Sequence, residues 1–269
     1  MKLNEINLRD PFVMLYNDKY YLYGSRVAVQ EGFDVYVSDD LDDWSEAKSV
    51  FEKQEGFWGT KQFWAPEVHL YEGKFYMFAS FKADDLCRGT AILVSDTPDG
   101  EFKVHSQRIT PADWECLDGT LYVENGIPYM VFCHEWLQVH NGEVCAVEMS
   151  KDLKEVIGEP FLLWKAADAK WVSPVRGDGD YVTDGPFLYK TEDGKLRSLW
   201  SSFSNGEYVL ATATSENGTV KGKWNVDDTL IYEKDGGHGM IFKTKDGKQK
   251  ISLHSPNSHL EERPKFFDF

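Results

Sequence analysis

The chain of 269 residues carries 29 basic against 45 acidic residues, a net charge of −16. That balance argues against nucleic acid and an anionic membrane surface as partners, because phosphate binding needs clustered Lys and Arg. An acidic soluble surface is its expected consequence. The length suits one large all-β domain over 1–269, and 17 Phe, 13 Tyr and 9 Trp suit strands and flat apolar ligand surfaces.

The first residues, Met1 to Pro11, contain no apolar h-region and no small-residue cleavage site. No apolar run approaches the ~20 residues of a membrane span. Cys87, Cys116, Cys133 and Cys145 show no Cys-x-x-Cys spacing and fall near or inside strand-like segments. Buried free thiols and a cytoplasmic, reducing location are expected, with secretion the alternative if a leader has been removed.

Along the chain, period-2 segments bounded by Gly, Asp and Asn dominate, and helical periodicity is absent. The first unit starts at Asp10-Pro11-Phe12, turns at Asn17-Asp18, returns through Tyr20 to Ser25, and adds strands near Phe33 and Phe51. The second runs from Trp64-Ala65-Pro66-Glu67 through a turn at Glu72-Gly73, with a third strand from Ala91 to Asp96. The third begins at Asp118-Gly119 and turns at Asn125-Gly126. The fourth begins at Asp184-Gly185-Pro186 and turns at Glu192-Asp193-Gly194. The fifth begins at His238-Gly239 and turns at Asp246-Gly247. Asp-Gly or Asn-Gly between alternating apolar residues is a strong hairpin signal. The heads at 10, 64, 118, 184 and 238 lie 54, 54, 66 and 54 residues apart, and Ser38, Ser95, Ser150 and Ser215 close the third strands of the first four units.

A period of about fifty with four strands per unit predicts β-propeller blades. Five units predict a five-bladed propeller with mostly four antiparallel strands per blade. A β-sandwich or β-helix does not explain Pro- or Gly-headed inner strands on this spacing. The fifth unit runs out of chain after its second strand, so residues 2–7 are expected to close that blade.

In a propeller the first strand of each blade lines the central channel, so the heads converge. Asp10, Asp118, Asp184 and His238 would then share one pocket with 64–67 of the second blade. Three carboxylates and an imidazole suit acid/base hydrolysis. A single Asp-Pro or Asp-Gly is ordinarily turn chemistry. Three at equivalent positions of a radial repeat point to a site.

The stretches Arg9-Asp10-Pro11-Phe12, Trp64-Ala65-Pro66-Glu67-Val68, Leu117-Asp118-Gly119, Asp184-Gly185-Pro186-Phe187 and Gly237-His238-Gly239 resemble, in this order and across essentially the whole chain, the family 43 glycoside hydrolases. The resemblance implies a five-bladed propeller that cleaves arabinofuranosides or xylosides with inversion. It implies Asp10 as general base and Asp118 as the residue that tunes and orients the acid. It places Asp184 where the family carries a Glu as general acid, a departure by one methylene. Glu67 and Glu135 are the substitutes to examine, with Glu67 also a pocket support. The resemblance brings His238 to the channel axis, a candidate for holding a cation through waters; a purely structural histidine is the alternative. Ca²⁺ prefers oxygen ligands, so a channel Ca²⁺ would be structural, and no cofactor is required.

Sugar rings offer apolar C–H faces, which makes Phe63, Trp64, Trp136 and Phe203, beside channel-lining strands, candidate platforms. Arg263 is a candidate donor to sugar hydroxyls, or a blade-closing residue. Trp44 and Trp224 occupy equivalent places in two blades and read as core between blades. His69 and His134 read as structural or rim residues. The loops 52–60 and 166–180 are expected to shape the pocket mouth.

The leading expectation is an inverting glycosidase that releases a terminal pentose, L-arabinofuranose or D-xylose, from oligosaccharides. The family's appended C-terminal β-sandwich is not in this chain, which favours arabinosides. Endo-arabinanase activity is the alternative within the class. A carbohydrate-binding propeller without hydrolysis is the alternative outside it, motivated by the aspartate at 184, and a protein scaffold is a third.

Overall fold

The computed structural model describes residues 1–177 and 179–269. Five antiparallel sheets follow one another in sequence, each built outward from the strand that begins it. Blade one holds β1 (Leu8–Tyr16), β2 (Lys19–Arg26), β3 (Gly32–Ser38) and β4 (Lys48–Glu52). Blade two holds β5 (Lys61–Tyr71), β6 (Lys74–Ala83), β7 (Leu86–Ser95) and β8 (Lys103–Ser106). Blade three holds β9 (Cys116–Glu124), β10 (Ile127–His134), β11 (Glu143–Met149) and β12 (Val156–Lys165). Blade four holds β13 (Asp184–Lys190), β14 (Leu196–Ser204), β15 (Glu207–Ser215) and β16 (Trp224–Tyr232). Blade five holds β17 (Gly237–Lys243), β18 (Gln249–His254) and β19 (Pro264–Asp268). The expected five-bladed propeller is present.

Turn chemistry explains the hairpins. Asn17-Asp18, Glu72-Gly73, Asn125-Gly126 and Asn205-Gly206 all place two successive residues at positive φ. Such pairs match the twist of the strands they join. The seams between blades are apolar. Phe33, Phe51, Phe57, Phe63 and Phe81 form one aromatic cluster, with Phe63 and Phe81 centroids 4.8 Å apart. Trp164 packs on Trp200 and Trp224 at 6.2 and 5.2 Å. Trp44 lies 6.1 Å from Phe266 of blade five. Trp44 and Trp224 are thus buried inter-blade core, as expected. All four cysteines are free, three of them buried, and no helix among the described residues is long and apolar enough to cross a membrane.

Blade five closes differently from the expectation. Its third strand is β19, which pairs with β18 from Lys250↔Asp268 to His254↔Pro264. The N-terminal residues instead form a 3-10 turn, Leu3–Glu5, and a bridge from Lys2 to Asp43 of blade one. They latch the ring by single hydrogen bonds: the Leu8 N–H and the Asn7 side-chain amide both donate to the Glu262 carbonyl, at 3.3 and 2.8 Å. Phe266 and Phe267 explain the choice, since β19 turns them onto Trp44 and Phe242 on one side and Tyr232 on the other.

Candidate active site

Every inner strand is interrupted near its start by a register shift, between Arg9/Phe12, Trp64/Glu67, Leu117/Thr120, Asp184/Phe187 and Gly237/Met240. At each shift one residue takes a left-handed conformation: Asp10 (φ 53°), Ala65 (47°), Asp118 (56°), Gly185 (52°) and His238 (54°). Non-glycine residues adopt this region at a cost and concentrate at functional sites. The true repeat position is therefore 10, 65, 118, 185 and 238. Trp64 and Asp184 stand one residue earlier, at the place of Arg9, Leu117 and Gly237. A bulge inserts one extra residue and re-aims its neighbours, which is why the heads taken from spacing are one off in blades two and four.

The two positions do different things. The left-handed residues Asp10, Asp118 and His238 are buried, whereas Arg9, Trp64 and Asp184, at the preceding position of their blades, are partly buried. All six line one cavity of about 310 Å³, with Gln30, His259 and Glu262 on its walls. Gly185 must be glycine on two counts, its positive φ and the 2.9 Å that would separate a Cβ from the His238 ring.

Four of the five left-handed residues are held from the second strand of the blade before, by the residue paired there with Arg9, Trp64, Asp184 or Gly237 of that blade. Ser25, Ser80 and Ser201 accept the N–H of Ala65, Asp118 and His238 at 2.7–2.8 Å. His254 does the same for Asp10 at 3.2 Å. In blade three this place is Cys133, opposite Leu117, a poor acceptor. The Gly185 N–H donates instead to Oδ2 of Asp118, at 2.9 Å.

The carboxyls sit in contrasting environments. Asp10 accepts from Ser25 Oγ at 2.5 Å and has His238 Nδ1 3.2 Å and Arg9 Nε 3.9 Å away. Burial opposes its charge, but His238, Arg9 and the Ser25 hydroxyl outweigh it and hold Asp10 down to about 2. Burial raises Asp184 and Asp118 above the usual carboxylate range, and neighbouring carboxylates add to this; His238 pulls the other way. The Asp118–Asp184 pair is best described as titrating together. His238, Nδ1 3.7 Å from Asp118 and 3.2 Å from Asp10, is raised because the carboxylates outweigh its burial. His254 is fully buried and pushed down to about 3, a neutral ring that accepts the Asp10 N–H.

Several expected contacts fall elsewhere. Trp64 lines the cavity, held by a 2.6 Å bond from Nε1 to Gln30 and by Arg88 stacked 3.9 Å over its ring. Phe63, beside it, points the opposite way and is fully buried in the phenylalanine cluster, because neighbours on a strand face opposite sides. Glu67 is buried against Thr120 and His69 Nε2 (3.3 Å) and does not line the cavity. Glu135 is buried in a pair with Arg88 at 3.3 Å. Trp136 lies under Arg176, 4.4 Å from its ring, also outside the cavity. Phe203 backs Tyr208 at 5.2 Å. Arg263 donates to the carbonyls of Asn4 and Glu262 at 3.1 and 2.8 Å, the blade-closing role. His134 stacks on Trp114 at 4.1 Å.

Two residues missed by the sequence lie one step away from those chosen. Arg9, next to Asp10, is the cavity's arginine, fixed by Asn257 (2.9 Å) and the fully buried Glu262 (3.0 Å). Glu262 is the neighbour of Arg263. The 52–60 and 166–180 loops supply no cavity-lining residue among those described, and Asp178 of the second lies outside the described residues; Gln30 and His259 shape the walls instead.

His238 faces Asp10 and Asp118 across the cavity. Its Nδ1 is engaged with two carboxylates, and the described residues hold no group of three or more His, Cys, Asp and Glu placed to share a metal ion. No step is assigned to a cation.

A five-bladed propeller whose axial cavity brings three carboxyls and a histidine together holds the groups that acid/base hydrolysis uses. Residues 4–266 match the family described as glycosyl hydrolases family 43, and the chain belongs to that family. A xylosidase/arabinosidase of Bacteroides ovatus is 28% identical over 244 residues, 78% of this chain and 71% of that protein. Xylosidase/arabinosidase 43A of Humicola insolens is 25% identical over 151 residues, and the match spans less than half, 46%, of that protein's length against 50% of this chain. A crystal structure described as an endo-arabinase from Bacteroides thetaiotaomicron superposes with a TM-score of 0.94 at 41% identity, covering 100% of this chain and 96% of that one.

Proposed function

We propose that this enzyme hydrolyses pentosides with inversion, with Asp10 as general base, Asp184 as general acid and Asp118 as the group that orients Asp184. The observation that carries this reading is the split between carboxyls in one cavity. Asp10 is held ionised, down to about 2, while burial keeps Asp184 raised. Carboxyl pairs pushed apart in this way mark base and acid. Asp10 takes a proton from water as that water attacks the anomeric carbon; Asp184 gives its proton to the departing glycosidic oxygen. Asp118, fixed by the Gly185 N–H, faces Asp184 from the next blade and disfavours its early ionisation.

The substrate we infer is an L-arabinofuranoside, with D-xylosides second. The likeness to an endo-arabinase and to two xylosidase/arabinosidases supports it. Release of single terminal sugars is supported by the cavity, whose 310 Å³ lies at the low end of ligand pockets, roughly 300–1,000 Å³. Trp64 offers the ring face on which a sugar would stack. The 41% identity to an endo-arabinase favours a second reading, internal cleavage of arabinan.

Linear arabinan and a panel of arabino- and xylo-oligosaccharides separate these. Arabinose as the sole early product supports terminal release, and short oligomers support internal cleavage. NMR of the first anomer released should show inversion; a retained anomer overturns the mechanism. Binding with no release at any pH returns the carbohydrate-binding alternative.

A further inference from the structure

Of the five positions that precede the left-handed residues, four carry side chains that line the cavity: Arg9, Trp64, Leu117 and Asp184. The fifth is Gly237. A Cβ there would lie 2.7 Å from Ser201 Oγ and 2.7 and 2.9 Å from Cε1 and Cδ1 of Tyr208. The vacated place is filled from the neighbouring blade by that tyrosine, on β15, which is 1% exposed. Its ring stacks on His254 at 5.6 Å and 19°, with Phe203 behind it. Its hydroxyl donates to Oδ2 of Asp184 at 3.1 Å.

We propose that Tyr208 is the positioning residue of the acid: its O–H holds Oδ2 of Asp184, leaves Oδ1 to carry the transferable proton, and needs Gly237 to reach it. The proposal rests on the reading of Asp184 as acid. It supplies what an aspartate at this place lacks. A Glu has one more methylene with which to reach the leaving oxygen, whereas a short carboxyl must be presented at a fixed angle. Tyr208, clamped between His254 and the Gly237 backbone, has no rotamer freedom to surrender when it does this. The clamp also joins acid to base, since His254 accepts the Asp10 N–H at 3.2 Å. Arg9 and Asp10 of β1, Asp118 of β9 and His238 of β17 are the other charged or titratable groups facing Asp184. Only the tyrosine hydroxyl donates a hydrogen bond to it among the described residues.

The test compares Tyr208→Phe with wild type on an arabinoside with a poor, alkyl leaving group and on a nitrophenyl arabinoside. A donor to a carboxylate favours its ionised form, so its loss moves the basic limb of the kcat profile to higher pH. Turnover of the alkyl substrate should fall roughly 10- to 100-fold, the scale of one charge-assisted hydrogen bond. Nitrophenyl turnover should fall only a few-fold, and KM should change little. Gly237→Ala, which crowds the ring and Ser201 Oγ but keeps the phenol, should shift the same limb beyond any shift in Ser201→Ala, which touches only the His238 anchor, and decides the matter if Tyr208→Phe does not fold. An unmoved basic limb with equal losses on both substrates in whichever variant folds overturns the positioning role. Asp184→Asn serves as control: if it turns over the alkyl substrate normally, the acid assignment itself fails; if it is inactive there while the Tyr208→Phe limb stays put, only the tyrosine proposal fails.

Discussion

The Gly185 N–H donates to Oδ2 of Asp118 at 2.9 Å across the seam between blades three and four. In three of the other seams the equivalent amide is taken by a serine hydroxyl, and in the fourth by His254. Here Cys133 stands where that acceptor would be, and the carboxylate takes the bond. One substitution in a repeated scaffold thus fixes a side chain of the site, and it makes residue 185 the hinge between Asp118, His238 and the candidate acid before it.

Gly185→Ala should therefore be damaging out of proportion to its size. The residue sits at φ 52° with His238 ring atoms 2.9 Å from a Cβ. Strain and displacement of His238 predict a loss of about 1–3 kcal/mol and a fall in kcat. Thermal unfolding and kinetics measure both; a variant as stable and active as wild type would contradict the geometry.

Asp10→Asn and Asp184→Asn should fail in different ways. Loss of the base slows attack whatever departs, so Asp10→Asn should lower turnover of alkyl and nitrophenyl arabinosides alike, by roughly 10²–10⁴. Loss of the acid should spare the nitrophenyl substrate, whose leaving group needs little proton assistance. With Asp10 held down to about 2, activity lost between pH 5 and 4 is not protonation of the base, and any such limb should persist in the residual rate of Asp10→Asn.

Stability should depend on pH through the same cluster. Asp118, Asp184 and His238 all have folded pKa values raised above their unfolded ones. Such groups contribute stability below the unfolded pKa and lose it as pH rises through the folded one. The windows open near ~4 for the aspartates and ~6.5 for the histidine. Asp10, depressed, acts oppositely and only below ~4. Asp118→Asn should flatten the fall in Tm between pH 5 and 8, and its unfolding free energy at pH 8 should exceed that of wild type by about 1–2 kcal/mol. Parallel Tm curves for the two proteins would refute this.

Phe63 and Trp64 are adjacent but belong to different parts of the molecule. Phe63→Ala removes a fully buried ring and should cost about 3–5 kcal/mol, with KM unchanged in the folded fraction. Trp64→Ala should leave stability nearly intact and raise KM by roughly tenfold through loss of the stacking face. Denaturant unfolding paired with initial rates distinguishes the two.

The repeat of hairpins, the five blades, the inter-blade tryptophans and the three aspartates were legible from residue order, because turn residues and period-2 alternation are local signals that each blade states again. The sugar platforms were only half legible. Trp64 and Phe63 are equally aromatic, and nothing in their order says which faces the axis. The same one-residue ambiguity separates Arg9 and Glu262 from the residues chosen beside them.

By itself, then, the order of residues determined that this protein is a five-bladed propeller with Asp10, Asp118, Asp184 and His238 brought to its axis. Only the tertiary structure decided which neighbour in each pair looks inward, because a bulge shifts the side-chain period by one and leaves no mark in composition. It also decided that blade five closes on its own strand, and that Tyr208 meets Asp184 two strands away in blade four, in the space that Gly237 of blade five leaves open, a juxtaposition that no spacing along the chain encodes.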